Sequence, residues 1–231
     1  MKDSLTLNII AKIHTDFPSK FGIPRQSGLV PELLAEIVFE PKYRDASALK
    51  GLEGFSHLWL LWKFSESVCE DWRPTVRPPR LGGNKRIGVF ATRSPFRPNP
   101  IGLSCVRLIE IKHNTERGVV LVVSGADLMD GTPIYDIKPY IPYTDNRPDA
   151  VGGFADDVFG DKLQVEIPDE LAQMLTEDKL TALKAVLRND PRPAYQNDES
   201  REYGFDFAGF SVKFVVKQDV LTVVSIEFQK N

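Results

Sequence analysis

The stretch HLWLLWKF at residues 57–64 decides the fold class. It is almost continuously apolar, and a short run of this kind is typical of a strand buried in a protein core. Residues 5–13 alternate apolar with mostly polar side chains, which is the period of a half-buried strand. Connections rich in Pro and Gly separate the runs, and a short helix is predicted only at 45–52, so the first half predicts a mainly β sandwich or barrel. The further predicted strands are residues 36–39, 86–92, 103–111 and 118–124.

The second part of the chain is organised differently. Residues 145–162 are rich in Asp, Gly and other small residues and lack periodicity, which is typical of a linker. An apolar stripe then predicts a helix over 168–187, followed by two strands at 203–216 and 220–228. We therefore predict two domains that pack together. They are a β domain at residues 1–150 and a small α+β domain at residues 151–231.

The composition favours a soluble globular protein of a reducing compartment, which we expect to be the cytoplasm. Of the 231 residues, 42% are hydrophobic and 26% are charged, the usual balance for such proteins. No apolar run reaches the roughly 20 residues that span a bilayer, so no membrane contact is expected. Cys69 and Cys105 lie in apolar stretches and are predicted to be free thiols. The histidines are scattered without metal-binding spacing, so no metal site is expected.

A cationic segment stands out in a chain whose formal net charge is −3. Residues 72–109 contain no Asp or Glu but eight Lys or Arg, and the remainder of the chain is correspondingly acidic. The cations are interleaved with Pro, Gly and Phe, which indicates ordered loops rather than a flexible tail. This pattern is consistent with a surface that binds a polyanion such as a nucleic acid, and also with an ordinary solvated face.

Three segments are chemically distinctive: PRQ at residues 24–26, GVFATRSPFRPNPIGLS at 88–104 and DLMDGTPIYDIKPY at 127–140. No glycine-rich dinucleotide loop, Walker A motif or nucleophile elbow accompanies them in the sequence. With further similarity across residues 5–145 and at DPRPAY (190–195), the segments resemble the TrmO family, formerly the YaeB or TsaA-like proteins.

The resemblance implies a fold, a function and a cofactor. Members of the family are tRNA methyltransferases that use S-adenosylmethionine to methylate N6 of threonylcarbamoyladenosine beside the anticodon. Their catalytic domain is a single-sheet β-barrel, and they act as homodimers. Carried onto this chain, the resemblance implies a cofactor pocket formed by Pro24, Arg25, Gln26, Ser65, Glu66, Arg93, Leu103, Asp130, Gly131, Thr132 and Pro133.

The side chains of this pocket suit the groups of the cofactor. Arg25 or Arg93 could bind the carboxylate of S-adenosylmethionine through two parallel N–H groups. Asp130 could accept hydrogen bonds from its ammonium group or its ribose. The pair Asp130-Gly131 is also typical of an ordinary turn, and the two interpretations are compatible.

The cationic segment supplies candidate contacts to tRNA. Trp72, Phe90 and Phe96 are candidates to stack on unpaired bases. Phe90 lies in the middle of the predicted strand 86–92, so core packing is the preferred assignment for it over stacking. The residues predicted to contact tRNA phosphates are Arg73, Arg77, Arg80, Lys85, Arg86 and Arg97.

The acceptor nitrogen is conjugated to a carbonyl, so its methylation calls for a base or a polarising group. Asp136 is the first catalytic candidate and Tyr140 the second, although Asp136 could equally orient another group. Two alternative functions stay open at this point. One is a non-catalytic RNA-binding protein that senses S-adenosylmethionine, and the other is a methyltransferase that acts on another RNA or on a small molecule.

Overall fold

The computed structural model describes residues 5–66, 71–78, 85–158, 162–192 and 198–229. Strands dominate these residues, as the apolar runs predict. In chain order the strands are β1 (Ala11–His14), β2 (Leu34–Phe39), β3 (His57–Lys63), β4 (Thr75–Val76), β5 (Ile87–Gly88), β6 (Ile101–Thr115), β7 (Gly118–Ser124), β8 (Thr132–Pro139), β9 (Gln164–Glu166), β10 (Tyr203–Phe207), β11 (Phe210–Lys217) and β12 (Val220–Phe228). The described α-helices are α1 (Pro142–Asp145), α2 (Asp169–Ala172) and α3 (Glu177–Arg188).

Six strands close into a barrel in the order β1-β2-β7-β6-β3-β8, and each neighbouring pair is antiparallel. The apolar stretch that decides the fold class forms β3. Leu58 and Leu60 are completely buried inside the barrel, whereas Trp59 and Leu61 alternate with them on the outer face. Burial of a side chain of this size stabilises the fold by about 1.5–3 kcal/mol. The predicted mainly β fold with a barrel is confirmed.

The antiparallel order brings three connections to one end of the barrel, which we call the site end. Lys63, the last residue of β3, pairs with Ile101, the first residue of β6. Ile13, near the end of β1, pairs with Thr132, the first residue of β8. The connections that leave from the site end are β1–β2 (residues 15–33), β3–β6 (64–100) and β7–β8 (125–131).

The C-terminal part contains a second sheet in the order β10-β11-β12-β9, with β9 parallel to β12. Helix α3 contributes Leu183 and Leu187 to the core of this part. Phe17, Val30 and Leu33 of the β1–β2 connection are buried in the same cluster. The C-terminal part therefore packs directly on a loop of the site end, and the boundary at residue 150 stays a prediction.

The structure corrects the prediction of a strand at residues 86–92. Only β5 pairs with β4 there, and the chain then turns through a 3₁₀ segment at Val89–Ala91. The Val89 N–H donates to the Pro74 carbonyl at 3.0 Å, which directs the Val89 side chain inward and Phe90 outward. Phe90 is 75% exposed. Its assignment to the core is therefore wrong.

Other element boundaries differ where the backbone turns locally. The helix predicted over 168–187 is divided into α2 and α3, and the strand predicted over 203–216 is broken at Ala208 and Gly209. Both of these residues have positive φ, which a continuous strand does not allow. The short helix predicted at 45–52 is replaced by two 3₁₀ turns at Ala46–Leu49 and Leu52–Gly54.

Two further sequence expectations concern thiols and membrane spans. Cys105 is a free, half-buried thiol whose pKa is raised by burial, while Cys69 lies outside the described residues. Among the residues that the structure describes, no helix is long and apolar enough to cross a membrane.

Candidate functional site

Most of the predicted site residues lie on the three connections of the site end. Each of the three distinctive sequence segments contributes to a different connection or to the strand that follows it. Because antiparallel neighbours share their ends, segments that are distant in sequence meet here. The predicted site residues at this end are Pro24, Arg25, Gln26, Ser65, Glu66, Arg73, Arg77, Lys85, Arg86, Arg93, Arg97, Leu103, Asp130, Gly131, Thr132 and Pro133.

The β1–β2 connection is held by the C-terminal part. Phe21 packs edge-on against Phe205 of β10, with ring centroids 6.3 Å apart. Gly22 has a φ of +94°, and a Cβ at this position would lie 2.4 Å from the Phe205 ring. Lys179 of α3 forms an ion pair of 2.7 Å with Asp16. These contacts fix the loop that carries Pro24, Arg25 and Gln26.

The two arginines proposed to bind the cofactor carboxylate face different partners. The Arg25 guanidinium donates to the carbonyl oxygens of Asp190 and Arg192, at 3.0 and 2.6 Å. The Arg93 guanidinium instead donates to the amide oxygen of Gln26. Arg25 thus connects the β1–β2 loop to the C-terminal part, and Arg93 connects that loop to the cationic segment.

A pocket of about 590 Å³ opens beside the Gln26–Arg93 hydrogen bond. It joins residues predicted for the cofactor with residues predicted for tRNA, which the sequence could not show to be neighbours. Phe96 and Phe154 supply aromatic surface, and Phe154 was not predicted as a site residue. The only signal for it is an aromatic residue in an Asp- and Gly-rich segment. The polar side chains lining the pocket include Gln26, Arg73, Arg77, Arg86 and Arg93.

The arginines predicted for tRNA do not share one role. The Arg97 guanidinium donates to the carbonyls of Val89 and Thr92, at 3.2 and 2.7 Å, and so shapes its own loop. Arg73 stacks on the Phe96 ring at 5.3 Å. Arg77, Lys85 and Arg86 are exposed, with Arg86 donating to the Thr75 hydroxyl at 3.1 Å. Arg80 lies outside the described residues.

The Asp130-Gly131 pair forms a turn whose carboxylate is used by the fold. The Thr132 N–H donates to the Met129 carbonyl at 3.2 Å, and Gly131 has a φ of +74°. The Asp130 carboxylate accepts from the Thr15 N–H at 3.1 Å and lies 3.2 Å from His14 Nδ1. The turn thereby ties β8 to the end of β1, which positions the buried Thr132 and the half-buried Pro133.

Asp127 is a half-buried acid at the site end that the sequence pattern did not single out as a site residue. The Ser104 hydroxyl donates to its Oδ1 at 2.5 Å, and the Trp62 indole N–H donates to that hydroxyl at 2.9 Å. Burial raises the pKa of Asp127, while the hydrogen bond from Ser104 and the charge of Arg93 act in the opposite direction. Its position in DLMDGTP, three residues before the predicted Asp130, was the available signal.

The two catalytic candidates, Asp136 and Tyr140, lie further along the barrel wall. Leu103 and Asp136 are aligned on either side of Leu61 in neighbouring strands, which puts their Cα atoms about 10 Å apart. Asp136 forms an ion pair of 2.8 Å with Lys138. Tyr140 follows β8 and donates its N–H to the His57 carbonyl at 2.9 Å. It lies at the opposite end, about 26 Å along the strand from Thr132.

Ser65 and Glu66 follow the last residue of β3 directly. The Lys20 ammonium donates to the Glu66 carbonyl oxygen at 2.6 Å, which ties this segment to the β1–β2 loop. Ser65 is half-buried and Glu66 is exposed. Within the described residues, no group of three or more His, Cys, Asp or Glu side chains could hold a metal ion.

The fold and this site define a class of protein: a single closed β-barrel that presents cationic loops and a half-buried acid, Asp127, at one end. The chain belongs to the tRNA-methyltransferase O family. The N-terminal domain of that family matches residues 12–146, and its C-terminal domain matches residues 160–229.

Individual relatives cover most of the chain. A tRNA (adenine(37)-N6)-methyltransferase from Escherichia coli (strain K12) is 43% identical over 226 residues, covering 94% of this chain and 96% of that protein. A Pseudomonas aeruginosa protein, provisionally described as an S-adenosylmethionine-dependent methyltransferase, is 44% identical and covers 84% of this chain and 85% of its own length. The crystal structure of TrmO from P. aeruginosa superposes with a TM-score of 0.78 at 33% identity, covering 99% of both chains.

Proposed function

We propose that this protein is a cytoplasmic methyltransferase that transfers a methyl group from S-adenosylmethionine to N6 of threonylcarbamoyladenosine beside the anticodon of tRNA. Family membership supports the reaction class. The observation that carries the proposal for this chain is the shared pocket, in which Gln26 and Arg93 of the predicted cofactor site adjoin Arg73, Arg77 and Arg86 of the predicted tRNA surface. A cofactor and an acceptor must meet at one place for a direct transfer.

The residues around this pocket fit S-adenosylmethionine. Arg93 offers a guanidinium for its carboxylate, and Phe96 and Phe154 offer apolar surface for its adenine. Asp127 lies close enough to Arg93 for that charge to act on its pKa, and it offers a carboxyl group for the ammonium group of S-adenosylmethionine. When bound, the cofactor supplies an electrophilic methyl group on a sulfonium. The contribution of the chain is to bind, orient and exclude water around the acceptor.

Asp136 is the preferred candidate for removing the proton from the acceptor nitrogen. It lies in the same row of the barrel wall as Leu103. Tyr140 instead follows the last residue of β8, at the end of the barrel opposite the site end. Lys138 holds the Asp136 carboxylate on the outer surface, where a substrate can reach it. We expect Asp136→Asn to lower kcat with little change in the KM for tRNA. Full turnover by this variant would remove Asp136 as the base.

The deciding experiment is methyl transfer from labelled S-adenosylmethionine to tRNA. Transcripts with and without threonylcarbamoyladenosine, otherwise identical in sequence, are compared. We expect label only on the modified tRNA. Label on both would replace the proposed substrate by unmodified adenosine or another RNA position. Cofactor binding without any S-adenosylhomocysteine product would favour a non-catalytic sensor.

We also propose that the protein acts as a homodimer, as the family resemblance implies. Trp59, Leu61 and Leu103 provide apolar surface on the outer wall of β3 and β6, which is unusual for a solvated face of a barrel. Light scattering of the purified protein tests the proposal. A molar mass equal to that of one 26.0 kDa chain at micromolar concentration would exclude it.

A further inference from the structure

Two aromatic rings at the site end are stacked on one another and exposed to solvent. The ring centroids of Trp72 and Phe90 are 6.1 Å apart, with 25° between the ring planes. Trp72 is 49% exposed and Phe90 is 75% exposed. Large aromatic surface of this kind costs free energy in water unless a partner covers it. The exposed pair therefore indicates a binding surface.

The backbone around the pair is fixed, so the rings are presented in a defined place. Val89 N–H donates to the Pro74 carbonyl, which pairs the segment after Trp72 with the segment before Phe90. Arg73 N–H donates to the Phe96 carbonyl at 3.2 Å. The Arg97 guanidinium binds carbonyls on both sides of Phe90, those of Val89 and Thr92. A surface that is already ordered loses little conformational entropy when it binds.

The charge around the pair indicates which partner covers it. Residues 72–109 contain no acidic residue, and Arg73, Arg77 and Arg86 line the adjoining pocket. A surface whose charges all have one sign attracts a polyanion rather than a mixed-charge protein surface. Proteins that bind single-stranded nucleic acid combine aromatic faces with a cationic groove, because every base has a flat face and every nucleotide a phosphate.

We propose that Trp72 and Phe90 form a stacking platform for an unpaired RNA base that neighbours the methylated adenosine. The inference rests on the proposed function, since it names the part of the substrate that this end of the site would bind. The platform holds one flanking base while the adenosine enters the pocket. It therefore contributes to the affinity for the loop and to the placement of the reacting nucleotide, but not to cofactor binding.

The test is a set of RNA affinities measured without catalysis. Fluorescence anisotropy gives the Kd of an anticodon stem-loop RNA, and a series of stem-loops carries one abasic nucleotide at each loop position in turn. Phe90→Ala should weaken binding of the intact stem-loop about tenfold, within the range of about 5- to 150-fold that one base–aromatic stack is worth. Trp72→Phe, which keeps a ring, should lose less than Trp72→Ala.

The abasic series identifies the stacked base through coupling. One abasic position next to the target adenosine should weaken binding to the wild-type protein as much as Phe90→Ala does. For that position alone, Phe90→Ala combined with the abasic RNA should lose no more binding free energy than either change on its own. The matched control is Phe228→Ala, which removes a ring that is 72% exposed and pairs with Phe210 in the C-terminal sheet. It should bind every RNA as the wild type does.

Several outcomes would overturn the platform. Wild-type affinity of Phe90→Ala and Trp72→Ala for every stem-loop is one, and an equal loss for all abasic RNAs is another. A lower molar mass of these variants in light scattering, with unchanged RNA affinity, would assign the rings to a contact between copies of the chain. Coupling without methyl transfer would keep the platform and reject the catalytic function, whereas methyl transfer without coupling would do the reverse.

Discussion

The two longest connections of the site end reach the same pocket in opposite ways. In the β1–β2 connection, the large side chains point into the C-terminal core, where Phe17, Val30 and Leu33 are buried. In the β3–β6 connection, the aromatic pair Trp72 and Phe90 faces solvent. One side of the pocket is therefore fixed from behind by another part of the protein, and the connection on the other side keeps apolar surface exposed next to the pocket.

This contrast explains what the C-terminal part contributes to the site. It contacts the β1–β2 loop through the Phe205 ring at Gly22, the Lys179–Asp16 ion pair and the Arg25 hydrogen bonds. Those contacts are made at Asp16, at Gly22 and within the PRQ segment, at Arg25. A substitution in the C-terminal core should therefore act on cofactor binding, while a substitution in the β3–β6 segment should act on RNA binding.

The largest expected effect separates stability from binding. Phe205→Ala removes a buried ring beside Gly22 and should lower the free energy of unfolding by about 3–5 kcal/mol. Phe90→Ala, at an exposed position, should change it by less than about 0.5 kcal/mol. Urea unfolding of both variants measures the difference. In addition, Phe205→Ala should weaken S-adenosylmethionine binding in calorimetry, because its loop loses support. Equal losses of stability in Phe205→Ala and Phe90→Ala would contradict the difference between the two connections.

The second prediction concerns the cationic wall. Arg77→Ala combined with Arg86→Ala should reduce the slope of log Kd for tRNA against log salt concentration by about 1.5, the loss of two phosphate contacts. Stability should be unaffected, because both side chains are exposed. The matched control is Lys184→Ala with Arg188→Ala, two exposed cations on α3. An unchanged slope in the first variant, or the same decrease in the control, would remove these arginines from the tRNA surface.

The same contrast shows how much the sequence could predict. Alternation and short apolar runs identified five of the six barrel strands, because a closed barrel buries every second side chain and leaves a period of two. They missed β8 and placed the start of β1 at residue 5 instead of Ala11. Phe90 was misassigned because its run of apolar residues looked like a strand. The hydrogen bond between Val89 and Pro74, which turns that run, joins residues 15 positions apart and leaves no local pattern.

Site geometry depended still more on tertiary contacts. Arg25 and Arg93 were equivalent candidates in the sequence, and only the fold shows that one donates to C-terminal carbonyls and the other to Gln26. Asp127 and Phe154 were missed for the same reason. Burial next to Ser104 makes Asp127 distinctive, and position on the pocket rim makes Phe154 distinctive. Neither property is encoded in residue type or spacing.

The third prediction distinguishes those two arginines. Arg25→Ala should lower the free energy of unfolding by about 1 kcal/mol, since it removes hydrogen bonds from an exposed guanidinium to two carbonyls. Arg93→Ala should leave stability nearly unchanged and weaken S-adenosylmethionine binding about tenfold or more, the effect of losing a charge-assisted contact. Calorimetry with each variant tests the assignment. A greater loss of cofactor affinity in Arg25→Ala would place the carboxylate at Arg25 instead.

The smallest expected effect on stability is at Asp127. Its carboxyl accepts a hydrogen bond from the Ser27 backbone in the β1–β2 connection and interacts with the charge of Arg93 in the β3–β6 connection. Burial raises the pKa of Asp127 in the folded state, so its contribution to stability is greatest below the unfolded pKa of about 3.9 and is lost as pH rises through the folded value. Asp127→Asn should therefore match the wild type in acid and become relatively more stable towards neutral pH.

Asp145 provides a control of opposite sign for Asp127→Asn. Hydrogen bonds from the Ile141 N–H and the Trp59 indole lower the pKa of Asp145, so its contribution is present above the unfolded pKa and is lost as pH falls through the folded value. Asp145→Asn should be less stable than the wild type at neutral pH, with the difference vanishing in acid. Urea unfolding from pH 3 to pH 8 compares the variants. If Asp127→Asn were also less stable than the wild type at neutral pH, burial would not determine the pKa of Asp127. Its hydrogen bonds and the charge of Arg93 would then stabilise the ionised carboxylate.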